Sequence, residues 1–128
     1  MNQQVLIVDD EPHIRRLLAQ ALEALEDQGV ELASAANGAE ALARIRARPP
    51  ELVVLDVMMP VMNGFDVCRA VKADAALRGV FVLILTAKGQ ELDRATAAEV
   101  GADGYMTKPF DPDALLSRAA SVLGVAID

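Results

Sequence analysis

Short apolar runs alternate along this chain with longer stretches of helical periodicity. "VLIV" (5–8), "LVVL" (52–55) and "VFVLIL" (80–85) are continuous and rich in β-branched residues, as parallel strands buried on both faces tend to be. They are expected at the centre of a sheet. "VELASA" (30–35) and "GYMT" (104–107) carry more small or polar residues and suit its edges. Between the first two runs, Ile14, Leu17, Leu18, Ala21, Leu22 and Leu25 recur at three- and four-residue steps. That stripe predicts one helix of about four turns, with Pro12 in its first turn and Gly29 at its end. Further helices are expected near 38–47, 64–73, 91–100 and 112–123, with Asn37, Asn63 and Asp111 as N-caps and "RPP" and Gly101 as stops.

The order is therefore strand then helix, five times over, with no linker or repeat interrupting it. Such alternation builds an α/β fold, a doubly wound parallel sheet with right-handed crossovers and helices on both faces. The 128 residues fit one domain with a proper core. Although 53% of them are hydrophobic, no apolar run approaches the roughly 20 residues of a membrane span. The start, "MNQQVLIVDDE", has no basic n-region or cleavage pattern, so a cytoplasmic setting is expected. A formal net charge of −7 opposes binding to a phosphate backbone. Cys68, the single cysteine, falls in a helical stretch and reads as a small core residue.

In open parallel sheets, ligands bind beyond the carboxyl ends of the strands, where strand order reverses. The residues there carry chemistry. Strand one runs into Asp9, Asp10 and Glu11, strand three into Asp56, strand four into Thr86 and strand five into Lys108. Taken singly, each has an ordinary explanation as a turn, cap or solvated residue. Together, three aspartates at one edge would repel one another unless a cation intervened. Mg²⁺, with its preference for oxygen ligands, is the natural partner. Zinc is disfavoured, because His13 is the only histidine, reading as a surface residue, and Cys68 lies elsewhere. An aspartate can attack phosphorus to give an acyl phosphate. Asp56 is the candidate nucleophile, with the Thr86 hydroxyl, the Ala87 backbone N–H and the Lys108 ammonium as groups for the phosphoryl oxygens.

Four segments in order, "VLIVDDE" (5–11), "LVVLDVMMPVMNG" (52–64), "LTAK" (85–88) and "GADGYMTKPF" (101–110), resemble the receiver domains of two-component response regulators. The likeness runs over essentially the whole chain and implies a single receiver domain over 1–128. It implies a flavodoxin-like fold, five parallel strands in order 2-1-3-4-5 flanked by five helices. It makes Asp56 the phosphoacceptor from a sensor histidine kinase or phosphotransfer protein. Asp10, Asp56 and the backbone carbonyl of Met58 would ligate Mg²⁺ directly, with Asp9 acting mainly through water. Thr86 and Lys108 would contact the phosphoryl group, and the Lys108–Pro109 bond would be cis. Pro60 and Gly64 would shape the loop after Asp56.

The resemblance further implies that Thr86 and Tyr105 form the switch, remodelling the surface of helix four, strand five and helix five for a downstream effector protein or domain. Ala87 is small enough to leave room for that motion. Taken without the motif, Tyr105 reads as a packing residue of an edge strand. Met58 and Lys88 occupy the positions that influence phosphoryl lifetime, and neither offers a carboxylate or amide to orient water, so a lifetime of minutes or longer is expected. The chain is expected to catalyse only its own phosphorylation and dephosphorylation. A homodimer formed on phosphorylation is within the family's repertoire, but Gly104 stands where "GADDY" receivers place a carboxylate used in their dimer. Rival readings meet specific obstacles. An aspartate-nucleophile phosphohydrolase usually has an acid two positions after the nucleophile, where this chain has Met58. A flavin carrier needs aromatics to sandwich the ring, and aromatics are only 3% of residues. A phosphorylation-independent docking module would not need the intact acid and lysine set.

Overall fold

A computed structural model describes residues 2–87 and 91–127, the side chains of 91–93 apart. Five parallel strands, β1 (Gln4–Val8), β2 (Glu31–Ala35), β3 (Leu52–Asp56), β4 (Phe81–Ala87) and β5 (Gly104–Lys108), form one sheet in the order β2-β1-β3-β4-β5. This is the predicted order, with the two polar strands at the edges. Each interior strand divides its alternate residues between two cores. Leu6, Val8, Val53, Leu55, Val82 and Ile84 face α2 (Gly38–Ala47), α3 (Gly64–Ala73) and α4 (Glu91–Glu99). Val5, Ile7, Leu52, Val54, Leu83 and Leu85 face α1 (Pro12–Ala21) and α5 (Pro112–Leu123). Cys68 is buried in the first core, and burial pushes its thiol up to about 11, so the expected packing role stands.

Local chemistry sets the helix starts. Asn37 accepts a hydrogen bond from the Glu40 N–H at 2.8 Å, Asn63 from Asp66 at 3.0 Å, and Asp111 from Asp113 at 2.9 Å, each side chain meeting an N–H that the first turn leaves unpaired. The first helix differs from expectation. It ends at Ala21, and a 3-10 helix over Glu23–Gln28 follows, closed by Gly29 at φ 81°. The tighter winding stacks residues three apart, which puts both Leu22 and Leu25 at 0% exposure. Leu17, read as part of the buried stripe, is 47% exposed. It lines a groove of ≈ 410 Å³ with Ile14, Ala21, Pro109, Phe110 and Pro112. Among the described residues, no helix is long and apolar enough to cross a membrane.

Candidate functional site

Strand order reverses at β1, which sends the chain outward to β2 and then back to β3 on its other side. A crevice opens where neighbouring crossovers part in this way. Register decides what lines it. Val8 pairs with Leu55, so Asp9 stands level with Asp56. Asp56 pairs with Leu85, and Thr86 and Ala87 pair with Thr107 and Lys108. The strand ends thus bring the predicted residues to one edge.

Asp9 is 0% exposed, Asp56 4% and Thr86 2%, while Asp10 and Ala87 are exposed. Oxygens of Asp9, Asp10 and Asp56 lie within 4.8 Å of one another. Lys108 reaches in from β5 and donates to Asp56 Oδ1 at 2.7 Å and to Asp9 Oδ2 at 3.0 Å. Burial, with the nearby Asp9 and Asp10 charges adding to it, holds the Asp56 carboxyl above the ordinary aspartate range even though the Lys108 hydrogen bond opposes this. For Lys108, burial pulls the other way, but its hydrogen bonds to Asp56 and Asp9 win and its pKa is raised. One ammonium is therefore shared by two buried carboxylates, with a third carboxylate beside them.

The β1–α1 turn fixes Asp9 tightly. Its Oδ1 accepts from the Glu11 N–H at 2.9 Å, and its backbone carbonyl accepts from Arg15 Nη1 at 2.7 Å. Both side-chain oxygens of Asp9 are thus engaged within the protein, whereas Asp10 is an exposed residue. Sequence reading gave Arg15 no role. Its position four residues after Glu11, on the turn that carries both acids, was the available signal.

The donor set suits a hard divalent cation. Among the described residues, these three aspartates form the one acidic or His/Cys cluster close enough to hold an ion. His13 is an exposed imidazole 3.4 Å from Glu11, and Cys68 lies within a core. The Lys108–Pro109 bond is cis, as expected. Tyr105 is half-buried against the first core, with the Arg94 guanidinium 5.1 Å from its ring centre. The Met58 side chain is 75% exposed. Lys88 lies outside the described residues.

Comparison with known proteins agrees. A model of the family described as "Response regulator receiver domain" matches residues 5–120. "Probable transcriptional regulator ycf27" of Porphyra purpurea is 45% identical over 121 residues, covering 94% of this chain and 47% of that protein. "DNA-binding response regulator MtrA" of Mycolicibacterium smegmatis is 41% identical, covering 96% of this chain and 51% of its own length. The chain spans about half the length of the curated relatives it matches. The crystal structure of the Vibrio cholerae chemotaxis response regulator CheY4 superposes with a TM-score of 0.82 at 34% identity, covering 95% of this chain and 99% of that one.

Proposed function

The chain belongs to the response regulator receiver domain family, and from that premise we propose that Asp56 accepts a phosphoryl group from a phosphohistidine of a sensor histidine kinase or phosphotransfer protein. A carboxylate oxygen of Asp56 attacks phosphorus, the phosphorus–nitrogen bond breaks, and its electron pair returns to the donor imidazole. The observation that carries this reading is Lys108 Nζ, 2.7 Å from Asp56 and 3.0 Å from Asp9 at the mouth of the crevice. Lys108 is held there as a cation, ready to follow negative charge as it spreads onto phosphoryl oxygens. The Thr86 hydroxyl and the Ala87 N–H are the further donors. Mg²⁺, held by Asp10, Asp56 and the Met58 carbonyl and by Asp9 through water, would neutralise charge on both the acceptor and the incoming group.

The groove lined by Ile14, Leu17, Phe110 and Pro112 lies beside Lys108, and its apolar walls support it as the surface on which the phosphodonor protein docks. Output would pass through Thr86 and Tyr105 to the α4–β5–α5 surface, biasing two conformations rather than creating a new one. That surface would engage an effector protein or domain, or a second copy of the chain. We read all of 1–128 as one cytoplasmic receiver domain, working without direct contact to nucleic acid or membrane and catalysing only its own phosphorylation and dephosphorylation. A phosphohydrolase is disfavoured by Met58, whose thioether cannot serve as the acid or base. With no carboxylate or amide at 58 or 88, the acyl phosphate should persist for minutes or longer.

Incubation with acetyl phosphate and Mg²⁺, followed by intact mass measurement, tests the assignment. Wild type should gain one phosphoryl group and Asp56→Asn none. A wild type that gains nothing, or a variant that gains equally, overturns it, and decay within seconds in the absence of a phosphatase overturns the lifetime.

A further inference from the structure

Helix α2 carries none of the residues assigned to the crevice, yet its first turn bears on the loop after Asp56. That loop, residues 57–63, is drawn in tightly. The Met59 N–H donates to the Val57 carbonyl at 3.1 Å and the Met62 N–H to the Pro60 carbonyl at 2.8 Å, giving two successive three-residue turns. The second is centred on Val61, whose φ of 70° is a conformation β-branched residues adopt only under constraint. Side chains sort accordingly. Met59 and Met62 pack into the first core, whereas Met58 and Val61 are 75% and 97% exposed.

What constrains the loop is close backbone packing at each end. At Gly64, whose N–H donates to the Val57 carbonyl at 3.0 Å, a Cβ would stand 3.0 Å from the carbonyl carbon of Asp56 and nearer still to its oxygen. At Gly38, the first residue of α2, a Cβ would stand 3.0 Å from the carbonyl carbon of Met62 and nearer still to that oxygen. Gly38 is not among the positive-φ residues, so the glycine serves close approach and not an unusual turn. Strained backbone of the Val61 kind persists only where surrounding structure over-determines it. With Gly64 fixing one end, the α2 contact fixes the other.

From this geometry we propose that Gly38 is a positioning residue for the cation site: its missing side chain lets α2 brace the Met62 carbonyl and so hold the strained Val61 turn, which fixes the preceding turn centred on Met58 and the carbonyl that Met58 offers. The inference rests on the reading of the Met58 carbonyl as a ligand given above. A methyl group at position 38 displaces Met62, gives the Val61 turn a way to relax, and shifts Met58 four positions upstream.

Mg²⁺ affinity by titration calorimetry, with melting temperature in EDTA measured in parallel, tests this on wild type, Gly38→Ala and Gly79→Ala. A Cβ at Gly79 meets nothing within 4 Å, so that variant should match wild type. Gly38→Ala should bind Mg²⁺ about tenfold more weakly, the lower end of what residues supporting metal ligands contribute. Affinity equal to wild type, whatever the melting temperature does, overturns the proposal, since packing alone moves only the latter. The same comparison is made in a Val61→Gly background, where the freed turn can accommodate the added methyl group without unfolding. With glycine at 61 the turn is unstrained and needs no brace, so the double variant should bind nearly as tightly as Val61→Gly. A double variant about tenfold weaker than Val61→Gly overturns the proposal, and so does one that fails to fold, because the contact then holds the fold rather than the site. Failure of wild type to bind Mg²⁺, or undiminished binding by Asp56→Asn, would instead remove the functional reading beneath it.

Discussion

Lys72 and Lys108 are both sheltered ammonium groups set against aspartates, with side-chain exposures of 16% and 25%. Around Lys72 the partners match. It meets Asp103 Oδ2 at 2.6 Å and donates to the Val80 carbonyl at 2.7 Å and the Arg78 carbonyl at 3.0 Å, as many acceptors as an ammonium has N–H bonds. Asp103 Oδ2 accepts in addition from the Val82 N–H at 2.9 Å, so the pair ties α3 to the start of β4 and the approach to β5. Around Lys108, one positive charge faces Asp56 and Asp9 with Asp10 beside them. The first cluster is neutral; the second is left negative. A balanced pair holds the fold, whereas an unbalanced one gives up stability and gains a demand for another cation.

The contrast can be broken by removing one group at a time and following urea denaturation in EDTA. Lys72→Met should be the most damaging, costing about 2–3 kcal/mol, because it strands a partly buried carboxylate and the part-buried Val80 carbonyl. Asp103→Asn should cost less, about 1–2 kcal/mol, since the amide can still accept from Val82. Asp56→Asn should have the opposite sign and gain about 1 kcal/mol by relieving like charges a few ångströms apart. Added Mg²⁺ should then raise the melting temperature of wild type and of Asp103→Asn but not of Asp56→Asn, because only a folded state that binds the ion is stabilised by it. A stabilising Asp103→Asn, or a destabilising Asp56→Asn, would erase the distinction between the two clusters.

The smallest effect lies in pH. Asp56 has a folded pKa raised above its ordinary 3.8, so the folded chain binds the more protons and metal-free stability falls as pH climbs from 3.8 through the raised value. The advantage of Asp56→Asn should therefore be small near pH 4 and grow toward neutrality, which denaturation at several pH values would reveal. Lys108, also raised, contributes stability that is fully present below 10.5 and is lost as pH rises through its folded pKa. A flat difference between the two chains from pH 4 to 7 would mean that Asp56 titrates as an ordinary aspartate.

The strands, the N-caps and the acids at the sheet edge were legible because each has a signature within a few residues: an apolar run, a capping side chain, a charge ending a buried strand. The break in the first helix was not. Apolar residues three apart satisfy an α-helix and a 3-10 helix alike, so Leu22 and Leu25 fitted either. Leu17 was misjudged because the stripe is wider than the surface that covers it. Arg15 and Lys72 were given no role, since nothing local indicates that they reach backbone carbonyls. Gly38 was hidden for a related reason: its partner, Met62, is brought to it only by the sheet, and close approach between distant segments leaves no pattern in either one.

Gly104 lies against the Arg118 side chain, whose Nη2 would be 3.0 Å from a Cβ at that position, with Leu83 Cδ1 at 2.8 Å and Phe81 Cε1 at 3.3 Å. Arg118 itself lies over the Phe81 ring, 5.8 Å from its centre. The space that a side chain would occupy at 104 is thus filled by the ends of two flexible neighbours, Arg118 and Leu83. An aspartate at 104 would meet the guanidinium and the leucine methyl, both able to swing aside, while shortening Arg118 uncovers the ring. A carboxylate placed here would compete with the Phe81 ring for the Arg118 guanidinium, so filling the gap and keeping the guanidinium over the ring pull against each other.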